Sequence, residues 1–364
     1  MRSASQPRLC ACLCAINISV GLLLVSIIEL PLFGQSTGTP PAKVCIDRDS
    51  SFYTSAQQSF AAKEYRQSAV LFAEAERACP EETDSLLYEG KALVNVGDFV
   101  GADRALRVHL AKNPRSAEAF YLLGFVLQRE NKPKESLEVF TRAAALQTPQ
   151  ANDLKIVGLD YVLLDDYRDA IHWLSRAVAI DRLNSEAWYY LGRAQMNQGH
   201  FVEAEQAFTR VLELSPRDVK AENNLGLVYE AQNRNADALK AYEMAVAWQS
   251  TSEHPSEQPM LNYGTLLISQ NRPSEAIAVL EPAVRIAPSN AACHEQLARA
   301  YLQTGKIKDA VAEMSRAVQI EPGNSRFHYE LGRIYRKDGM QEAAQQEFSR
   351  SAALYGTKST PEDK

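Results

Sequence analysis

The chain has 364 residues, 46% of them hydrophobic, which is enough for a large buried core. Its 45 acidic residues outnumber 39 basic ones, for a formal net charge of −6. That balance argues against a nucleic-acid binder, which carries a basic face.

At the N-terminus, Arg2 and Arg8 precede an apolar stretch over residues 15–28. Its 14 residues fit the h-region of a secretory signal and fall short of the roughly 20 that span a bilayer. Gly34-Gln35-Ser36 then supplies a small-x-small cleavage pattern. Residues 1–36 are therefore expected to be a signal peptide that exports the chain to the periplasm or the outside. The alternative is an uncleaved anchor, with residues 30–33 extending the apolar run past Glu29 and the rest of the chain outside the cytoplasm. No lipobox precedes Cys45, because Lys43 and Val44 stand there. Residues 37–48 read as a linker bearing Thr and Pro.

Past residue 48 the chain compares with itself at a fixed offset. Leu-Gly recurs at Leu123-Gly124, Leu191-Gly192, Leu225-Gly226 and Leu331-Gly332, and Val157-Gly158, Tyr263-Gly264 and Leu297-Ala298 fill the same slot. The spacing is 34 residues throughout except for one step of 38, whose extra residues fall in the polar segment 251–256. With Leu-Gly as positions 7 and 8, nine units begin at residues 49, 83, 117, 151, 185, 219, 257, 291 and 325, and the array covers residues 49–358. Residues 359–364 form a short charged tail.

Each recurrent position has a packing reason. Glycine inside a helix costs about 1 kcal/mol against alanine, so its recurrence at position 8 implies a close approach between two helices. Position 20 is always Ala or Ser and reads as the opposite side of that approach; position 24 is large, as in Phe72, Phe140, Phe208, Tyr242 and Phe348. Position 32 carries Pro80, Pro114, Pro216, Pro288 and Pro322, where proline ends a helix. Position 15 holds Gly, Asn or Asp in every unit but the first, which has Lys63; a helix ending in a left-handed residue wants those types.

This pattern resembles the tetratricopeptide repeat, a 34-residue helix-turn-helix unit. The resemblance implies an all-α, right-handed superhelical α-solenoid of about nine units. It also implies a non-catalytic, protein- or peptide-binding scaffold. Its first helices line a concave groove that takes an extended or helical segment. By the family's pattern, lining positions include Tyr121, Phe125, Tyr189 and Arg193 in repeats 3 to 5, and Arg299, Tyr329, Arg333 and Arg336 in repeats 8 and 9. The last group forms a cationic patch, expected to take an acidic segment or a terminal carboxylate, against the plainer reading of a solvated end with internal pairing. At position 6, Asn224 and Asn262 resemble part of the asparagine ladder of O-linked N-acetylglucosamine transferases, which holds a peptide backbone through side-chain amides. The carboxylate clamp of chaperone-tail binders is absent: Asn224 matches it, but Tyr189 and Arg193 do not.

Nothing else in the sequence carries chemistry. His294 and His328 share position 4, where Phe120 and Trp188 sit elsewhere, and read as substitutes for a core-edge aromatic. Cys293 reads as a lone buried thiol. Cys45 and Cys79 flank the first unit, at one end of an antiparallel helix pair, and are candidates for a disulfide in an oxidising compartment. No cofactor, metal or nucleic acid is implied, and a membrane only through an uncleaved N-terminal segment. A membrane-anchored docking subunit of an envelope, secretion or glycan-related complex is the second reading, and an accessory enzyme subunit the third.

Overall fold

A computed structural model of the chain describes residues 48–80, 84–250 and 252–358. The signal, most of the linker, Cys45 and the charged tail lie outside the described residues.

The described residues form eighteen α-helices in nine antiparallel pairs. The first three pairs are α1 (Arg48–Ala61) with α2 (Tyr65–Ala78), α3 (Asp84–Val96) with α4 (Phe99–Lys112), and α5 (Ala117–Arg129) with α6 (Pro133–Leu146). Next come α7 (Ala151–Leu163) with α8 (Tyr167–Ile180), α9 (Ser185–Asn197) with α10 (Phe201–Leu214), and α11 (Val219–Ala231) with α12 (Asn235–Gln249). The last are α13 (Gln258–Ser269) with α14 (Pro273–Ile286), α15 (Ala291–Gln303) with α16 (Ile307–Ile320), and α17 (Ser325–Lys337) with α18 (Gln341–Lys358). Each helix packs on the one before and the one after, so every pair hands its apolar face to the next. That is the architecture of an α-solenoid.

The turn inside each pair is set by one residue. Lys63, Gly97, Asn131, Asp165, Gly199, Asn233, Asn271, Gly305 and Gly339 all have φ between 56° and 82°. The amide that follows returns to the carbonyl five residues back, as from Asp98 to Leu93 and from Lys132 to Leu127. This closes the helix end. Lys63 breaks the residue preference yet takes the same conformation, because the turn geometry is common to all nine pairs.

The reason for the small residue at position 8 is also visible. A β-carbon on Gly158 would come within 2.6 Å of Leu174, and one on Gly264 within 2.5 Å of Leu280. The side chain that fills the space is thus position 24, sixteen residues on. The small residue at position 20 faces the same point: the Ser68 hydroxyl donates to the Ala56 carbonyl and the Ser136 hydroxyl lies against the Gly124 carbonyl, both at 2.9 Å, and the Ala344 carbonyl lies 3.2 Å from a β-carbon on Gly332.

Proline at position 32 stops the second helix but is not required to do so. α2, α4, α10, α14 and α16 all end two residues before it, and α8 ends at the same point with Arg182 in its place.

Candidate functional site

From α3 to α15, successive first helices pack directly on one another, whereas among the described residues no two second helices meet to that degree. The array therefore bends toward its first helices, and their outer positions line the inside of the curve. Side-chain caps fix where those helices begin. Ser116, Asn184 and Asp218 each accept from the amide three residues on, Asn290 and Asn324 from the amide two residues on.

The lining of repeats 3 to 5 carries apolar and aromatic side chains among polar ones such as Glu118, Arg129 and Asn152. Leu122, Leu159, Val162 and Met196 are half-buried, and Leu163 is 45% exposed. Phe125 sits between two core clusters with its ring edge-on to Phe99 at 6.3 Å. The Tyr121 hydroxyl donates to the Gln147 carbonyl at 2.5 Å, so it closes the end of α6 as well as lining the face. Burial and the charge of Asp153 push its phenol up to about 12. Tyr189 is wedged edge-on between Tyr190 and Phe208, with centroids at 5.4 and 5.9 Å. Arg193 is half-buried and has no carboxylate partner among the described residues.

In repeats 6 and 7 the polar lining is spent on neighbouring units. Asn224 Nδ2 donates to the Tyr189 hydroxyl at 3.2 Å and to the Lys220 carbonyl at 2.9 Å. Asn262 Nδ2 donates to Asn223 Oδ1 at 2.9 Å, and its Oδ1 accepts from Gln258 at 2.8 Å. The amides expected to act as rungs for a peptide thus hold one repeat to the next.

Sequence reasoning missed this stitching. Lys155 pairs with Glu186 at 2.6 Å, and Arg326 with Glu295, which is 3% exposed. Both pairs join position 5 of one repeat to position 2 of the next, so opposite charges 31 residues apart were the available signal.

The cationic end is partly neutralised in the same way. Besides Arg326, Arg333 pairs with Glu330 at 2.9 Å. Arg299 donates to Gln296 at 3.1 Å, and Arg336 lies over the Phe348 ring at 5.6 Å. Tyr329, half-exposed, rests on the same ring at 5.6 Å. Arg299, Arg336 and Lys337 are exposed cations with no carboxylate partner among the described residues.

His294 and His328 form a repeated constellation away from this face. In each, Nδ1 faces a glutamate of the second helix (Glu313 at 2.6 Å, Glu347 at 2.5 Å) and Nε2 faces a proline carbonyl of the preceding repeat (Pro288, Pro322). Cys293 is fully buried, and burial pushes its thiol up to about 11, which makes it a poor nucleophile. Cys79 is disulfide-bonded and 4% exposed. Its expected partner, Cys45, lies outside the described residues. Among those residues, no three of His, Cys, Asp and Glu come together as a metal site would need.

Two family models for the tetratricopeptide repeat match this chain, one over residues 267–329 and the other over 158–219 and 191–255. Those segments carry the position-8, position-15 and position-24 geometry described above. The chain belongs to the tetratricopeptide repeat family.

Two relatives are distant in sequence. The chain is similar to anaphase-promoting complex subunit 3 of Schizosaccharomyces pombe, 23% identical over 245 residues, 67% of this chain and 36% of that protein. It is similar over 184 residues, at 27% identity, to the probable UDP-N-acetylglucosamine–peptide N-acetylglucosaminyltransferase SPINDLY of Hordeum vulgare, covering 47% of this chain and 19% of that protein. The chain thus spans about a third and a fifth of the length of these two relatives. Among solved structures, a tetratricopeptide repeat protein of Parabacteroides merdae superposes with a TM-score of 0.53 at 16% identity, over 72% of this chain and 98% of that one. At that identity the likeness is one of fold.

Proposed function

We propose that this tetratricopeptide repeat protein is a non-catalytic scaffold that holds a segment of another protein along its first-helix face. The observation that carries this reading is the uneven lining of that face. Repeats 3 to 5 present apolar and aromatic side chains beside two cations without a carboxylate partner among the described residues, Arg129 and Arg193. Repeats 8 and 9 present Arg299, Arg336 and Lys337 without carboxylate partners. Between them, Asn224 and Asn262 of repeats 6 and 7 are engaged by Tyr189 and Asn223 of the preceding repeats. A segment with large apolar side chains at one end and carboxylates at the other complements this order. Tyr and Arg are the residue types enriched in binding hot spots, and a wall held rigid by inter-repeat pairs lowers the entropic cost of capture.

The test compares wild-type chain with Leu163→Asp/Arg193→Glu and with Arg299→Glu/Arg336→Glu as baits, each with unchanged circular dichroism. Both variants are expected to lose the partner that wild type retains. Full retention by Arg299→Glu/Arg336→Glu would remove the carboxylate end of this reading, and retention by both would remove the groove.

We further propose that the scaffold works outside the cytoplasm. Arg2, Arg8, the apolar residues 15–28 and the Gly34-Gln35-Ser36 pattern support export, and a bonded Cys79 suits an oxidising compartment. An anchored docking subunit is the second form of this proposal. N-terminal sequencing of the exported protein separates them: a new N-terminus near residue 37 supports release, and an intact Met1 in the membrane fraction supports anchoring.

A further inference from the structure

Position 10 of the first helix is buried and apolar almost throughout the array, as at Val126, Ala194, Val228 and Leu266. In the fourth repeat it is Asp160, fully buried in α7. Its Oδ2 lies 2.5 Å from the hydroxyl of Ser136 on α6, and that hydroxyl lies 2.9 Å from the carbonyl of Gly124 on α5. Its Oδ1 is buried without a hydrogen-bond partner.

A hydroxyl has one hydrogen and cannot donate to two acceptors at once. The first repeat shows where that hydrogen goes. Ser68, equivalent to Ser136, donates to the Ala56 carbonyl at 2.9 Å, and the residue equivalent to Asp160 in the next repeat is Ala92. With Ser136 donating to Gly124 as Ser68 does to Ala56, the 2.5 Å contact with Asp160 needs a proton on the carboxyl. The chain runs Asp160 Oδ2–H to Ser136 Oγ–H to the Gly124 carbonyl. It ties the first helix of repeat 4 to both helices of repeat 3.

We infer that Asp160 is a proton-operated latch: protonated, it fastens the third repeat to the fourth; ionised, it loosens that joint. Loss of the proton leaves two acceptors facing one serine hydrogen, with a second carboxylate oxygen buried and bare. A buried charge of that kind is costly. The helices packed on α7 are α5, α6, α8 and α9, and none of them gives Asp160 an ion-pair partner among the described residues; burial pushes the carboxyl up to about 7, against the hydrogen bond that Ser136 can give its ionised form. The unfolded carboxyl titrates near 4. The folded chain therefore holds an extra proton between those values. The stability due to this group is complete below about pH 4 and is lost as pH rises through about 7. Phe125 and Leu159 lie on either side of the joint, so the latch would tune the apolar half of the groove, a consequence that rests on the function proposed above.

The test is hydrogen exchange on the full chain at pH 5.5 and 8.5, corrected for the intrinsic rate, in wild type, Asp160→Asn and Asp160→Val. The valine variant restores what repeats 3 and 6 carry at this position and covers the case in which the amide does not fold. In wild type, the amides of α6 and α7 are expected to exchange about tenfold faster at pH 8.5, relative to α14 and α16 in the same molecule. In the variants this pH effect should vanish. An equal pH effect in all three proteins, or none in wild type, overturns the latch. No ligand enters the measurement, so its result stands whether or not the groove binds as proposed.

Discussion

Gly124 and Phe140 leave no room for a methyl group between them: a β-carbon on Gly124 would stand 2.5 Å from Cε2 of the ring. The ring is nearly fully buried, with α5 on one side and the α7 cluster on the other, so it cannot swing away. Gly124→Ala is expected to destabilise the array by about 2 kcal/mol, despite the better helix propensity of alanine. The eighth repeat supplies the remedy, since Ala298 stands there with the flexible Met314 at position 24. Phe140→Met in the Gly124→Ala background should recover part of the loss. Urea unfolding of the single and double variants measures both effects.

Lys63 holds a left-handed conformation, φ 62°, that the other pairs give to Gly, Asn or Asp. For a residue with a β-carbon this costs about 1 kcal/mol. Lys63→Gly should therefore stabilise the first repeat by about that amount, seen as slower hydrogen exchange in α1 and α2. No gain, or a loss, would mean that the lysine side chain makes a compensating contact.

His328 and Glu347 are both buried and link α17 to α18, with the far ring nitrogen on the Pro322 carbonyl. The repeats that carry Phe120 or Trp188 here have no such pair. His328→Phe leaves Glu347 with Arg350 alone and should cost about 3 kcal/mol, whereas His328→Phe with Glu347→Leu should cost clearly less. Additive losses in this double-mutant cycle would mean that the two side chains do not act together.

Cys79 is bonded at the end of α2. With Cys45 as its partner the closed loop is about 35 residues, and reduction should lower the stability of the first repeat by about 3 kcal/mol. Peptide mapping of unreduced protein is expected to yield a fragment joining Cys45 and Cys79. A fragment joining Cys79 to another cysteine would exclude that partner.

Much of this molecule was legible in the chain itself. Spacing of 34 residues, glycine at position 8 and the turn residue at position 15 each act within one repeat, over distances that local geometry sets. They place the helix pairs and the face that lines the curve. The local signals were incomplete where residue type and conformation part company, as at Lys63 and at the end of α8.

What only the tertiary structure decided is how polar side chains are spent. Asn224, Asn262 and Arg333 look free in sequence and are engaged by Tyr189, Asn223 and Glu330. Arg299 and Arg336 look the same in sequence and keep their charge unmatched by any carboxylate among the described residues. Asp160 breaks an apolar position of the repeat, and only the fold shows that Ser136 meets it there. The periodic pattern reports burial that recurs in every unit. Which donor meets which acceptor across a junction depends on the packing of two units that are distant in sequence, and that is settled only when the helices are stacked.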